Sequence, residues 1–170
     1  IGISFDGDAD RVIFCDEKGS VVDGDYILAI LAIHYKNKKK LSNNSIVSTK
    51  MSNLGMRKFF LKEKIKFYLS DVGDRYVVEL MKKNNCILGG EQSGHIIFSE
   101  NSFCGDGLFT ALTILEIINE TNLSLSKLHT NLFDKLPQHL VNYKLSKNSD
   151  LVIKGRTINN LLDKYTLSLI

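Results

Sequence analysis

Short apolar runs alternate with amphipathic segments along most of the chain, and this pattern predicts alternating strands and helices. The apolar runs predict strands at 1–5, 11–15, 45–49, 66–70, 86–88 and 95–98. Apolar residues at helical spacing predict a helix that starts at Asp25 and others at 54–64, 75–83, 108–118 and 124 to about 136. Pro137, the only proline, is expected to end the last helix. Such alternation is typical of an α/β layered domain.

The pattern is weaker after residue 137. Alternating residues predict an extended strand at 138–145, and the polar stretch 146–150 resembles a linker. Residues 151–170 are consistent with one short strand and one helix, and none of them suggests chemistry.

Composition narrows the class of protein. A chain of 170 residues that is 44% hydrophobic suits one domain with a sizeable core, alone or with pieces of its neighbours, and excludes a disordered chain. The net charge of +3 is small, and arginine supplies few of the 22 basic residues, so we expect no nucleic-acid partner. No apolar run is long enough to span a bilayer, so we expect no membrane partner.

The cysteines and the first residues bear on location and completeness. Three cysteines without close spacing predict neither a disulfide framework nor a cysteine-rich zinc site, and they favour a reducing cytoplasm. The chain starts on a strand-like segment without an initiator Met, which we interpret as an internal fragment of a longer protein.

The strongest candidate for chemistry is the segment between the first two predicted strands, Asp6–Arg11, called the acidic loop below. Asp6, Asp8 and Asp10 would repel one another unless a cation lay between them, and oxygen ligands favour Mg²⁺. Arg11 adds a fixed positive charge that suits a phosphate ligand. Two alternatives stay open: a solvated acidic turn, and a calcium-binding helix-loop-helix with Glu17 as the twelfth loop residue.

A second candidate is the segment Gly89–His95, called the glycine loop below. It places a carboxylate, an amide, a hydroxyl and an imidazole within five residues, and these groups suit one polyhydroxylated ligand. The alternative is an ordinary polar hairpin turn. The side chains are those of Glu91, Gln92, Ser93 and His95.

Other polar residues are open to structural explanations. Asp74 and Arg75 follow a glycine at a strand-to-helix junction, where they suit either anion binding or helix capping. The segment 105–107 predicts a capped helix start, and Asp23 or Asp25 is available to cap the first helix.

Taken together and in this order, the two loops resemble those of the α-D-phosphohexomutase superfamily. The acidic loop resembles its metal-binding motif Asp-Gly-Asp-x-Asp-Arg, and residues 90–95 resemble its sugar-binding motif Gly-Glu-x-Ser-Gly-His. Four further segments are similar to those of the bacterial branch that acts on glucosamine phosphates, namely 51–55, 72–77, 105–107 and 136–138. The resemblance covers about 1–143.

The resemblance implies a mixed-sheet α/β/α domain and an intramolecular phosphotransferase of the isomerase class. The implied reaction interconverts glucosamine 6-phosphate and glucosamine 1-phosphate through a phosphoserine enzyme and a bisphosphate intermediate, in the synthesis of peptidoglycan precursors. It further implies Mg²⁺ on Asp6, Asp8 and Asp10, a phosphate held by Arg11, and His95 near the reacting end of the sugar. The remaining implied substrate-binding residues are Glu91, Gln92, Ser93, Asp74 and Arg75.

Two motifs of the superfamily, its phosphoserine loop and its late phosphate-binding loop, do not occur in these 170 residues. We therefore expect residues 1–20 to end a second domain, 21–136 to form a third and 137–170 to lead to a fourth. We expect the 170-residue chain alone to be inactive. The expected partners are an amino-sugar phosphate, the remaining domains of the same polypeptide and, for the complete enzyme, a second copy. A branch acting on mannose or glucose phosphates is the alternative within the superfamily.

Overall fold

The computed structural model describes residues 1–139, and the fold below is that of Ile1–Gln138. Of the strand predicted at 138–145, only residues 138 and 139 are described. The linker predicted at 146–150 and the final strand and helix lie outside the described residues. The same holds for nearly all of the predicted segment 137–170, and the three predicted domain boundaries stay predictions.

Seven strands and five helices alternate along the described chain, with a short 3₁₀ turn at Ser42–Asn44. The strands are β1 (Gly2–Phe5), β2 (Val12–Cys15), β3 (Val21–Val22), β4 (Ser45–Thr49), β5 (Lys66–Ser70), β6 (Leu88–Gly90) and β7 (Ile96–Phe98). The helices are α1 (Gly24–Asn37), α2 (Leu54–Lys62), α3 (Asp74–Asn84), α4 (Gly107–Thr121) and α5 (Leu125–Thr130).

The strands form two sheets. β1, β2 and β3 form an antiparallel sheet in chain order, and β5, β4, β6 and β7 form a second sheet in that order. β4 is parallel to β5 and β6, whereas β7 is antiparallel to β6. The predicted α/β fold with a mixed sheet is therefore confirmed.

Helices cover both faces of the second sheet because successive strand residues point to opposite sides. Ile46 of β4 belongs to the large apolar core formed with α1, α2 and α4, whereas its neighbour Val47 packs with Val77 and Met81 of α3. All five residues of β4 are buried, as expected for a central strand of a parallel arrangement. The domain thus has three layers, helix, sheet and helix.

The strand predicted at 86–88 is wrong by two residues, since β6 starts at Leu88. The backbone N–H of Cys86 donates to the carbonyl of Met81 and closes the end of α3, so Cys86 does not pair with β4. The two glycines that follow Leu88 pair with β4 instead. A Cβ on Gly89 would lie 2.5 Å from the Met81 sulfur, so a larger residue there would require the side chain of Met81 to move.

The helix predicted to run to about Leu136 is also wrong, because α5 ends at Thr130. The chain beyond it is held in a non-helical form by Asn53. The Asn53 side chain accepts from the Leu136 N–H at 2.9 Å and donates to the Leu136 carbonyl at 2.8 Å. Phe133 stacks on Tyr26 at 4.7 Å between ring centroids. Tertiary contacts therefore end this helix before Pro137 is reached.

The short strand β3 (Val21–Val22) was not predicted.

None of the helices within residues 1–139 is long and apolar enough to cross a membrane.

A buried, hydrogen-bonded pair of side chains fastens α5 to the turn after β2. The carboxylate of Asp16 lies 2.9 Å from Nε2 of His129, and the side chains of both residues are less than a tenth exposed. Asp16 also accepts from the backbone N–H groups of Lys18 and Ser20. Next to it, Glu17 accepts hydrogen bonds from Ser126. Burial of a carboxylate is tolerated here because its oxygens are bonded.

We expect this pair to make stability fall in acid. The hydrogen bond from His129 is the largest influence that lowers the pKa of Asp16 from 3.8 to about 2, so the unfolded chain takes up a proton before the folded one does. The resulting stability is complete above pH of about 4 and is lost as the pH falls toward about 2. In urea unfolding, Asp16→Asn should therefore lower the midpoint at pH 6 and flatten its decrease between pH 4 and 2.

The matched control is Asp134→Asn, which removes an exposed carboxylate after α5. It should leave both the midpoint and its pH dependence almost unchanged. An Asp16→Asn variant with the same slope as the parent protein between pH 4 and 2 would contradict the role assigned to this pair.

Candidate functional site

The acidic loop joins the antiparallel strands β1 and β2 and brings its three carboxylates together. One oxygen atom from each of Asp6, Asp8 and Asp10 can be chosen so that all lie within 4.8 Å of one another. Nε of Arg11 lies 2.7 Å from Asp6 and 3.2 Å from Asp10. Asp8 is exposed, whereas the other two aspartates are half-buried. The convergence predicted from the spacing is therefore present.

The start of α4 holds the acidic loop in this shape. Ala9 has a left-handed backbone with φ 58°, and its carbonyl accepts from the N–H of Gly107 at 2.9 Å. A Cβ on Gly107 would lie 2.7 Å from the Arg11 carbonyl, so the helix can start here only with glycine. Asp106 caps α4 by accepting from the Phe109 N–H, as predicted. The segment 105–107 is thus both a helix start and the support of the acidic loop.

The electrostatics of the acidic loop suit a cation. Partial burial raises the pKa of Asp6, but the hydrogen bond from the Arg11 backbone N–H and the neighbouring guanidinium outweigh it and lower the pKa overall. Asp6 is therefore ionised near neutral pH, and the three aspartates offer an all-oxygen donor set that fits a hard divalent ion. The residues present fit Mg²⁺.

The helix-loop-helix alternative for the acidic loop does not match these residues. Strands, not helices, flank the loop on both sides. Glu17, which would supply the twelfth position of a calcium loop, is bonded instead to Ser126 of α5. That bond is the largest cause that lowers the pKa of Glu17, to about 2.

The glycine loop is a tight turn that leaves β6 and lies against the start of β2. The Gly94 N–H donates to the Glu91 carbonyl, and the Glu91 N–H donates to the His95 carbonyl, each at 3.0 Å. The Val12 N–H then donates to the Gly94 carbonyl at 3.1 Å. Gly94 has φ 92°, and a side chain there would collide with Val12. Glycine at this position therefore lets the two segments run side by side.

His95 connects the two loops directly. Its Nδ1 lies 3.1 Å from the carboxylate of Asp10, and its ring is buried with 6% exposure. A Cβ on Gly105 would collide with this imidazole, so the glycine leaves room for it. Nε2 of His95 has no hydrogen-bond partner within the part of the chain that the structure describes. The sequence predicted neither this contact nor the role of Gly105.

An open cleft of about 630 Å³ lies beside these loops. Four predicted site residues line it, namely Arg11, Glu91, Gln92 and Ser93. The sequence did not mark the other lining residues as part of a site, although Asp23 belongs to a second Asp-Gly-Asp sequence that repeats the start of the acidic loop. These residues are Asp23, Thr49, Met51 and Val72.

Asp74 and Arg75 lie at the start of α3, as predicted, but they are not among the residues that line this cleft. Arg75 pairs with Glu79 at 2.9 Å on the exposed surface of the helix. The residue that caps α3 is Gly73, whose N–H donates to Oε1 of Glu91 at 3.0 Å. Glu91 thereby fixes the start of α3 beside the cleft, and the roles of Asp74 and Arg75 stay predictions.

Comparison with known proteins agrees with this geometry. Residues 23–136 match the family model described as phosphoglucomutase/phosphomannomutase, alpha/beta/alpha domain III. A phosphoglucosamine mutase from Clostridium botulinum is 46% identical over 170 residues, which cover 99% of this chain and 38% of that relative. The chain thus spans well under half the length of this curated relative.

Two solved structures have the same fold. A phosphoglucomutase/phosphomannomutase family protein from Burkholderia thailandensis matches with a TM-score of 0.68 and 24% identity, over 78% of this chain and 29% of that one. The Aspergillus fumigatus N-acetylphosphoglucosamine mutase, solved in complex with GlcNAc-6P and magnesium, matches with a TM-score of 0.62 and 20% identity, over 79% of this chain and 33% of that one.

The family model covers most of the chain, and the three-layer fold that carries the glycine loop lies within the matched residues, whereas the acidic loop precedes them. The chain therefore belongs to the phosphoglucomutase/phosphomannomutase family and contains its α/β/α domain III.

Proposed function

We propose that the protein to which this chain belongs interconverts glucosamine 6-phosphate and glucosamine 1-phosphate by phosphoryl transfer. The observation that carries the proposal is the contact between Asp10 and His95, which joins a loop whose carboxylates suit a cation to a loop whose polar groups suit a sugar. The relative that is 46% identical is a phosphoglucosamine mutase, which favours the amino sugar over other hexoses.

The acidic loop supplies the metal site of this proposal. Asp6, Asp8 and Asp10 hold Mg²⁺ through carboxylate oxygens that already lie within 4.8 Å of one another. When bound, the ion neutralises charge on the phosphoryl group that is transferred. Arg11 steadies the same phosphate, since its guanidinium lies beside the carboxylates and lines the cleft.

We assign to His95 the handling of a proton at the reacting end of the sugar. Because Nδ1 is engaged with the Asp10 carboxylate, the other nitrogen, Nε2, is left to exchange a proton. Its burial and the room provided by Gly105 keep the ring in this orientation. His95 and Arg11 are therefore the two residues of this chain to which we assign the chemistry.

The glycine loop supplies the sugar contacts. Glu91 and Ser93 line the cleft and offer an acceptor and a hydroxyl to sugar hydroxyls, while Gln92 between them offers an amide. Asp74 and Arg75 are assigned a supporting role at the start of α3. Because the same hydroxyl contacts serve both orientations of a bisphosphate, this site suits an intermediate that turns over between two transfers.

The rest of the proposal concerns the complete protein. We propose that a phosphoserine and a second phosphate-binding loop come from segments outside this chain, that the product feeds peptidoglycan precursor synthesis, and that the enzyme is cytoplasmic. A homodimer of the complete enzyme is part of the same proposal.

The reaction can be tested with the complete polypeptide, Mg²⁺ and a bisphosphate primer. Coupled assays should give a larger kcat/KM for glucosamine 6-phosphate than for mannose or glucose 6-phosphate. Preference for mannose or glucose phosphate would assign the protein to another branch of the family, and no turnover of any of the three would overturn the proposal.

The metal site makes a separate prediction. Asp8→Asn removes an exposed ligand, so it should weaken Mg²⁺ binding by about tenfold or more while leaving the metal-free melting temperature nearly unchanged. Calorimetric titration and thermal unfolding measure the two effects in the complete polypeptide. Asp134→Asn is the matched control and should change neither. An equal loss of metal-free stability in Asp8→Asn would mean that the loop is structural.

A further inference from the structure

The second Asp-Gly-Asp sequence, Asp23-Gly24-Asp25, forms the start of α1 and has no part in the machinery assigned above. Asp23 caps the helix, since its side chain accepts from the Tyr26 N–H. Asp25 is completely buried, with 0% exposure. Burying a carboxylate costs free energy, so the contacts of Asp25 indicate its role.

Asp25 bonds to the glycine loop and to the start of α2 through one oxygen. Oδ2 accepts from Nε2 of Gln92 at 3.1 Å and from the backbone N–H of Asn53 at 2.9 Å. Oδ1 has no hydrogen-bond partner within residues 1–139. Burial is the main cause that raises the pKa of Asp25, to about 6, so the carboxylate is still largely ionised at neutral pH.

The backbone beside Asp25 holds the same residue of the glycine loop. The Gly24 N–H donates to the Gln92 carbonyl at 3.0 Å. A side chain on Gly24 would collide with the Glu91 carbonyl, and its Cβ would lie 2.7 Å from the Gly94 nitrogen. The start of α1 therefore fits closely against the glycine loop, and both the backbone and the side chain of Gln92 are bonded to it.

We infer that Asp25 is a positioning residue that fixes the Gln92 amide and thereby selects hexosamine phosphates over hexose phosphates. The inference rests on the proposed function. An ionised carboxylate only accepts hydrogen bonds, so the nitrogen of the amide must face Asp25. The carbonyl oxygen, Oε1, is then the end of Gln92 that is left for the cleft, which Gln92 lines.

This orientation discriminates between the two kinds of sugar. The amino group at C2 of a hexosamine, in its ammonium form, only donates hydrogen bonds, and a fixed carbonyl oxygen is its complement. A hydroxyl at C2 both donates and accepts, so it binds either end of an amide. If the amide were free to turn its nitrogen toward the cleft, the ammonium would lose its partner while the hydroxyl would keep one.

The test compares variants by the ratio of kcat/KM for glucosamine 6-phosphate to that for glucose 6-phosphate. In the complete polypeptide with Mg²⁺, Asp25→Ala should lower this ratio about tenfold, which is the size of one hydrogen bond to a charged group. Asp25→Asn should keep the ratio within about twofold, because its carbonyl oxygen can take the place of Oδ2 and accept from both N–H groups.

A double-mutant cycle separates positioning from general damage. Gln92→Met keeps the side-chain length and removes the amide, so it should lower the ratio itself. Adding Asp25→Ala to Gln92→Met should lower the ratio no further. If the two effects multiply, or if Asp25→Ala lowers kcat/KM equally for both sugars, the inference is overturned.

Two further variants control for stability. Asp16→Ala removes another buried carboxylate, which does not contact the glycine loop, and it should lower the melting temperature without changing the ratio. If Asp25→Ala does not fold, Asp25→Ser replaces it, since its hydroxyl still accepts from Asn53 but is too short to hold Gln92. A ratio unchanged in Asp25→Ser would equally overturn the inference.

Calorimetric titration with the two sugar phosphates distinguishes failure of the inference about Asp25 from failure of the proposed function. A parent protein that isomerises glucosamine 6-phosphate with a ratio insensitive to Asp25 overturns the inference alone. A parent protein that binds the amino sugar preferentially without isomerising it overturns the reaction alone, and the ratio of dissociation constants then replaces the kinetic ratio. For a parent protein that does not isomerise, equal affinity for both sugars overturns the inference.

Discussion

The pairing of β2 with the end of the glycine loop is the interaction on which the site depends. The Val12 N–H bonds to the Gly94 carbonyl, and Arg11 and His95 form a bridge just outside the named strands. Asp10 and His95, which are 85 positions apart in the sequence, come within 3.1 Å as a result. Without this pairing the acidic loop would be an acidic turn and the glycine loop a polar hairpin, which are the ordinary explanations of each loop taken alone.

Close approach of backbones explains why glycine recurs around this pairing. Gly94 lets the glycine loop lie against Val12, Gly107 lets α4 begin against the acidic loop, and Gly24 lets α1 begin against Gln92. At each point a side chain would collide with backbone atoms, which cannot move aside as a flexible side chain can. The two loops are therefore held from several directions by helix starts.

Local patterns predicted the fold class and most elements, because strands and helices have distinct periods of apolar residues. The same patterns predicted both loops, since the chemistry of each lies within a few consecutive residues. They failed where distant contacts decide the outcome. Asn53 holds the backbone at Leu136 outside a helix, and Gly89 belongs to β6 through its pairing with Val47 of β4. Asp25 was considered only as a helix cap, and its bond to Gln92 depends on the fold alone.

Charge balance indicates how a divalent cation would act in the acidic loop. Three carboxylates and one guanidinium leave two net negative charges in the acidic loop, which one divalent cation would neutralise. A phosphate dianion could not approach the loop without that ion, since the remaining carboxylates would repel it. With the ion in place the acidic loop would be neutral overall, and the Arg11 guanidinium, which lines the cleft, would be available to a phosphate. Asp10 is then shared between the cation and His95, so the occupancy of the metal site and the orientation of the imidazole depend on the same carboxylate.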